Sequence, residues 1–444
     1  MLFISIAILA PLFIYSLRDG NKYLYANIGL ALLLPTLDRL SGGLPFPFAY
    51  IKIPFLFIGF FIQFIRVKKI AFNNNIQILL VLYIVFIVSL LFSLEDKSGL
   101  SVIKSLTSWG LIYLPLIIIS GEKSIDVLKL IKFVFNFIFI PTAIFGIFQY
   151  IVGPEFLSSI GFKLVTHNTE TTYAFDLVSF ETQQYYGFRP FSFLTSSADY
   201  SAIVFQAYIW NLVLGDFMDF QPRIKTVIIF LFAIALLVSQ TMTMILIALA
   251  IHIYYVFFIK KIRVVSQNVI FAVAGIISFA FIFNYFFPEI TNRILYSVKI
   301  YSPDDVGTTS LGYRLRWLSM LPTLIQGHLF FGYGSAINFP HDFSADSKFF
   351  YHSLINGLIT GVIYLSLYAY VAKISWQGYI KKKKLIFYNE IKLLVYLMST
   401  AVILNNLSNG QIELTTPSNF LLWIIIGISL SNAPRIFGKG NAFE

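Results

Sequence analysis

A chain of 444 residues that is 58% hydrophobic and only 12% charged, with mean hydropathy +0.79, is not composed like a soluble enzyme, since the charged fraction is about half the usual ~25%. The net charge of +11 points toward an acidic partner, but no aromatic-and-basic motif for DNA or RNA accompanies it, and the positive-inside bias of a multispan protein accounts for it without nucleic acid. Cysteine is absent, which excludes disulfides, Cys-ligated zinc or iron–sulfur centres and thiol catalysis.

Apolar runs recur along the chain, each near the ~20 residues a helix needs to cross hydrocarbon. They predict spans at 2–17, 24–38, 51–65, 76–93, 105–120, 130–152, 199–217, 225–239, 241–259, 268–287, 351–372, 392–409 and 418–431. The expected fold class is therefore all-α: a polytopic integral membrane protein of about 12–14 transmembrane helices, with residues 1–444 as a single membrane domain. The short segments of alternating polarity that mark an outer-membrane barrel are missing. Met1 to Leu17 lacks a basic start and a small-residue cleavage site, so it reads as a retained first helix. The runs 225–239 and 241–259 are almost continuous and require a tight re-entry at Ser239-Gln240.

Alternating these spans places 21 of the 32 lysines and arginines on one side and 11 on the other. The crowded side, with Lys381 to Lys384 as its firmest anchor, is expected to be cytoplasmic and to hold the C-terminus. Two long loops then face outward, at 153–198 and 288–350. The second runs to about sixty residues, far more than a returning helix needs, and chemistry is expected there.

The five histidines, His167, His252, His328, His341 and His352, show no H-x-x-x-H spacing, so no metal site is expected. The first outer loop ends in G-F-R-P-F-S-F-L-T-S-S-A-D, leading into a helix at about Asp199. Its Arg189 has two readings: an interfacial arginine snorkelling beside aromatics, or a functional group, because the positive-inside rule disfavours arginine on the outer side. In the second loop, Arg293 comes first. Tyr313, Arg314 and Arg316 then share Y-R-L-R-W-L-S-M-L, an amphipathic stretch suited to the interface. Arginine grips phosphate through a planar fork of donors, so one from each loop could clamp a diphosphate. Gly332 and Gly334, in G-Y-G, permit close backbone approach; no G-K-S/T follows, so this is not a Walker loop. Asp346 precedes a helix read as Phe349–Ala372, where it is either a helix cap or a reacting carboxylate. His352 is either a packing residue or part of the site.

The array from Arg314 to Gly361 resembles the C-terminal region of the O-antigen ligase/polymerase superfamily. It reads R-L-R-W-L-S-M-L-P-T-L-I-Q-G-H-L-F-F-G-Y-G-S and then D-S-K-F-F-Y-H-S-L-I-N-G-L-I-T-G. G-F-R-P-F-S-F-L is similar to the family's outer-loop arginine segment. Ser239-Gln240-Thr241 echoes its turn between two middle spans, without the family's arginine. Ligases begin the late helix with H-N, whereas this chain has Asp346-Ser347, which looks like the Wzy-type polymerase branch.

The resemblance implies a metal-independent glycosyltransferase of the bacterial inner membrane, needing no cofactor. It would join oligosaccharide repeat units carried on undecaprenyl diphosphate into O-antigen, capsule or exopolysaccharide at the outer leaflet. A chain-length regulator and a flippase would be its partners. On this reading Arg189, Arg314 and Asp346 are catalytic, while Arg316, Arg293, Tyr313, Gly332, Gly334 and His352 bind substrate. The alternatives are a ligase onto lipid A core or protein, and a lipid-linked oligosaccharide flippase or other transporter. A conduit would need charge within its spans, and the mid-span stretches are almost free of it.

Overall fold

The computed structural model describes residues 2–41, 52–66, 73–92, 125–162, 190–194, 196–261, 356–381, 386–406 and 416–431, with nine isolated positions between 285 and 354. Every regular element among these residues is helical. In chain order they are α1 (Leu2–Ser16), α2 (Gly20–Ser41), α3 (Lys52–Arg66), α4 (Asn74–Phe92), α5 (Val127–Val134), α6 (Ile140–Ser159), α7 (Ser197–Leu214), α8 (Pro222–Val238), α9 (Met242–Tyr254), α10 (Leu358–Ile380), α11 (Ile386–Asn406) and α12 (Thr416–Leu430). Wide π-type turns at Phe135–Phe139 and Tyr255–Ile259 join α5 to α6 and extend α9.

Four of these rods are long and apolar enough to cross a membrane: Val127–Ser159, Met242–Ile259, Leu358–Ile380 and Ile386–Asn406. Asn74–Ser89 and Ser418–Leu430 are shorter apolar helices. The expected span 105–120 lies outside the described residues, and so does 268–287 apart from Tyr285.

The element boundaries follow local chemistry. Asp126 caps α5 by accepting the Lys129 N–H at 3.0 Å, which satisfies one of the donors a helix start leaves unpaired. The rod expected at 130–152 runs on to Ser159 across a kink at Gly153 (φ 75°, ψ 173°), because Pro154 restarts the helix with a pre-set φ. Pro222 plays the same part at the start of α8. The rod expected at 351–372 begins instead at Leu358. Gly357, at φ 92° and ψ 151°, holds a backbone conformation that is essentially closed to other residues, and it separates Phe349, Ser353 and Leu354 from α10. At its far end α10 outlasts the apolar run because Trp376 stacks against Tyr379 and meets Tyr396 of α11 at 4.7 Å between ring centroids.

Helix α7 is the axis of the packing, with 15 of its 18 residues buried, as expected of a helix apolar all round. Its Trp210 meets Phe139 edge-on at 5.3 Å, and Phe139 in turn meets Phe232 of α8. Helix α12 is buried along its whole described length from Ser418 to Leu430.

Contacts sort the helix termini into two ends. At one, Lys132 pairs with Asp219 and Lys225 with Asp216. Phe217 meets Phe387 there, and Tyr388 donates to the Ser429 and Ser431 carbonyls. Asn73 at the start of α4 donates to the Leu430 carbonyl at the same end, and Arg66 donates to the Leu17 and Arg18 carbonyls just past α1. At the opposite end the contacts among the described residues are between uncharged polar groups: Ser89 bonds Thr360, Gln206 donates to Ser418, and Asn405 donates to the Met244 sulfur. Lys22, Lys129, Lys132, Lys225, Lys260 and Lys392 all belong to the first end.

Candidate functional site

The polar end is where the sequence places its outer loops, and three structured turns there carry the motifs. The first follows Arg189. Pro190 to Leu194 forms a buried turn closed by the Leu194 N–H donating to the Phe191 carbonyl at 3.0 Å. Ser192 stands in this turn at φ 54°, a left-handed conformation that costs a non-glycine residue about 1–3 kcal/mol. The surrounding helices offset that cost. Gln149 of α6 accepts the Phe191 and Ser192 N–H groups at 3.1 and 2.6 Å, and its amide donates to the Ser192 carbonyl at 3.2 Å. The Ser192 hydroxyl donates to the Thr142 carbonyl at 2.8 Å, and Thr36 of α2 donates to the Phe193 carbonyl at 3.3 Å. Gln149, Ser192 and Thr142 are each 0% exposed, so these bonds compete with little water and their loss would orphan buried groups.

Aromatic packing closes the same turn. Phe193 stacks on Phe145 at 4.3 Å with 9° between planes, and Phe191 stacks on Phe162 at 5.8 Å. The chain then enters α7 through a capping box: the Ser196 hydroxyl accepts the Asp199 N–H, and the Asp199 carboxylate accepts the Ser196 N–H, both at 3.1 Å. Asp199 therefore serves the helix start, which begins two residues earlier than the sequence suggested.

The second turn is the tight re-entry between α8 and α9. Ser239, Gln240 and Thr241 are all buried, and Gln240 lies at φ 55°. The Ser239 hydroxyl donates back to the Leu236 carbonyl at 2.6 Å, and the Gln240 N–H to the Leu237 carbonyl at 3.0 Å. This satisfies carbonyls that a helix end leaves unpaired, with Gln240 in the left-handed position that usually follows a helix.

The third is the break before α10. The Thr360 hydroxyl donates to the Asn356 carbonyl at 2.8 Å and also bonds Ser89 of α4. A side chain at Gly361 would collide with the Ser353 hydroxyl and approach the Phe349 carbonyl to 3.1 Å. The two glycines of G-L-I-T-G thus have separate tasks: Gly357 turns the chain and Gly361 admits the segment before it.

Of the expected site residues, Gly332 is described. It lies at φ 60°, a left-handed backbone that suits glycine. Arg189, Arg293, Tyr313, Arg314, Arg316, Gly334, Asp346 and His352 lie outside the described residues. Among the described residues no group of three or more histidine, aspartate or glutamate side chains is gathered to hold a metal ion.

Sequence reasoning overlooked Gln149, Thr142 and Thr36. They are uncharged, belong to no motif and sit within apolar helices. A glutamine in a run such as I-F-G-I-F-Q-Y-I-V is a signal in itself, since a buried amide needs partners. His252 on α9, weighed in the sequence only as a metal ligand, has its Nδ1 2.7 Å from the Tyr208 hydroxyl of α7.

No model of a known protein family matches this sequence, and no curated protein matches it.

Proposed function

We propose that the chain is a polytopic glycosyltransferase of the bacterial inner membrane, polymerising oligosaccharide repeat units carried on undecaprenyl diphosphate at the outer leaflet. The observation that carries this reading is the order of its motifs: the outer-loop G-F-R-P-F-S-F-L, then R-L-R-W, then G-Y-G, then the polar run into G-L-I-T-G. Two structural features support it. Among the described residues, the lysines that form ion pairs and ring contacts gather at one end of the helices, as a cytoplasmic face requires. The turn that follows Arg189 belongs to the other end, where it is bound into two helices, α6 and α2.

The chemistry is a displacement at the anomeric carbon of the growing chain. A bond forms from the acceptor hydroxyl oxygen to that carbon, and the bond to the lipid diphosphate breaks, its electron pair leaving with the phosphate. Arg189 and Arg314, with Arg316 as the alternate, stabilise the charge that develops on the departing diphosphate. Asp346 orients the acceptor hydroxyl and takes its proton. Arg293, Tyr313, Gly332, Gly334 and His352 line the acceptor and diphosphate positions.

The test is the glycan ladder of a deletion strain complemented with wild type, Arg189→Ala or Arg314→Ala. A polymerase leaves single repeat units on deletion, and neither variant restores the ladder while both accumulate in the membrane. Long polymer stranded on its lipid carrier would make the protein a ligase, and units trapped on the cytoplasmic face would make it a transporter. Full ladders from both arginine variants would sink the diphosphate clamp.

A further inference from the structure

We propose that α9 and α10, at the basic end of the helices, form a seat for an anionic phospholipid. Lys260, Lys373 and Lys381 surround its phosphate, and an aromatic face shared with α11 lies against its chains. The site requires the helices to lie in a bilayer and is independent of the glycosyltransferase reading.

The face is built from rings on three helices. Tyr396 of α11, half-buried, is met by Tyr254 of α9 at 6.5 Å between ring centroids and by Trp376 of α10 at 4.7 Å. Both neighbours extend the face toward the basic end: Tyr254 stacks on Phe258, and Trp376 on Tyr379. Phe258 and Ile380, the residue after Tyr379, are exposed, so an apolar strip continues to the helix ends without protein over it. Tryptophan and tyrosine favour the depth at which lipid chains give way to headgroups.

Charge sets this face apart from the rest of the same end. Elsewhere the lysines are already matched: Lys22 pairs with Asp19, Lys129 with Asp126, Lys132 with Asp219 and Lys225 with Asp216. Lys392 is buried over the Tyr388 ring, in the space that Gly378 leaves. Lys260, Lys261, Lys373 and Lys381 are exposed and form no ion pair among the described residues. All four belong to the two helices that flank Tyr396. Lys260 and Lys261 end α9, and Lys381 ends α10. Lys373 precedes Trp376 by three residues and therefore shares its side of α10.

The two groups of lysines are close. Lys260 leans over the Tyr255 ring at 5.4 Å, and its charge reaches Tyr379, two residues before Lys381. The acids near Lys260 are half-buried Glu390 and Asp216, and Lys225 already holds Asp216. One carboxylate thus faces four lysines, and a phosphate would complete the balance. Each lysine near an anionic lipid surface strengthens binding by about fivefold. A zwitterionic headgroup brings its own cation and gains less. A soluble anion would satisfy the lysines but leave the apolar strip uncovered, so the geometry favours a lipid.

The test uses full-length protein in detergent, given equal amounts of dioleoylphosphatidylglycerol and dioleoylphosphatidylcholine, with retained lipid counted by native mass spectrometry. Wild type should retain phosphatidylglycerol over phosphatidylcholine by about tenfold or more. The triple variant Lys260→Gln, Lys373→Gln, Lys381→Gln should lose that preference. The control triple Lys22→Gln, Lys129→Gln, Lys132→Gln removes the same charge from paired lysines at the same end and should keep it. Absence of a preference in wild type would overturn the proposal without recourse to any variant. Equal loss in both triples would also overturn it, since the lysines would then act as a diffuse basic belt. So would displacement of the retained lipid by inorganic phosphate, which would make this a site for a free anion.

Discussion

The ring of Tyr200 lies in the notch left by Gly146, so close that a methyl group on Gly146 would overlap the ring and its hydroxyl. Tyr200 is fully buried near the start of α7, and Gly146 sits on the face of α6 that also carries Thr142 and Gln149. The contact sets how near these two helices approach, and with it the spacing of the elements that hold the Ser192 turn.

Gly146→Ala should therefore overpack the α6–α7 contact and destabilise the protein by about 1–3 kcal/mol. Gly29→Ala is the matched control. It lies in mid-helix on α2 with nothing near its position, so alanine there should be neutral or stabilise by roughly 0.5–1 kcal/mol. Thermal midpoints of the two variants in one detergent should move in opposite directions. A lowered midpoint for both would mean that the notch has no special role.

Gly357→Ala should destabilise more than its size suggests, since alanine is excluded from φ 92° and ψ 151°. Gly361→Ala should act by a different route, pushing against the Ser353 hydroxyl and the Phe349 carbonyl. Limited proteolysis would separate them. Either change should loosen the segment before α10, and Ser353→Gly should partly rescue Gly361→Ala but leave Gly357→Ala uncorrected. Equal rescue of both would contradict this assignment.

Asp19, in the bend between α1 and α2, supplies a dependence on pH. Partial burial pushes its carboxyl up, but the hydrogen bonds and positive charge of Lys22 outweigh this and hold it below the ordinary aspartate value. Because the folded state depresses this group, its contribution is present above the unfolded value of about 4 and is lost as pH falls through the folded one. Stability measured from pH 7 downward should thus begin to fall near pH 4, and Asp19→Asn should remove a small part of that fall. The pair is partly exposed, so the effect is modest. A steeper acid loss in Asp19→Asn than in wild type would contradict the assignment.

The helices were legible in sequence wherever apolar length decided them. The rods at α8 and α9 and the re-entry between them follow from two apolar runs and the polar Ser239-Gln240 that divides them. Boundaries decided by single residues were less visible. Nothing in the hydropathy of 351–372 separates its first turn from the rest, because Gly357 breaks the rod through its backbone angles and not through polarity. The proposed chemistry was read from charged residues in the loops, since charge is conspicuous in an apolar chain. The apparatus that holds the turn after Arg189 was not read at all. Glutamine, threonine and serine gain their meaning from partners about 42 to 157 residues away, and those pairings are a property of the packing.

The rod from Val127 to the kink at Gly153 also has a mechanical consequence. Its 26 residues reach about 39 Å at ~1.5 Å each, against a hydrocarbon layer ~30 Å thick. In the membrane proposed here it must lean, or carry Lys129 and Lys132 out among the headgroups. A thinner or thicker bilayer would change that lean at modest cost. Gln149 sits one turn below the kink, so the lever would end at the peptide bonds that follow Arg189. Lipid acyl length would thereby become a physical input to the end of the helices that holds the Ser192 turn.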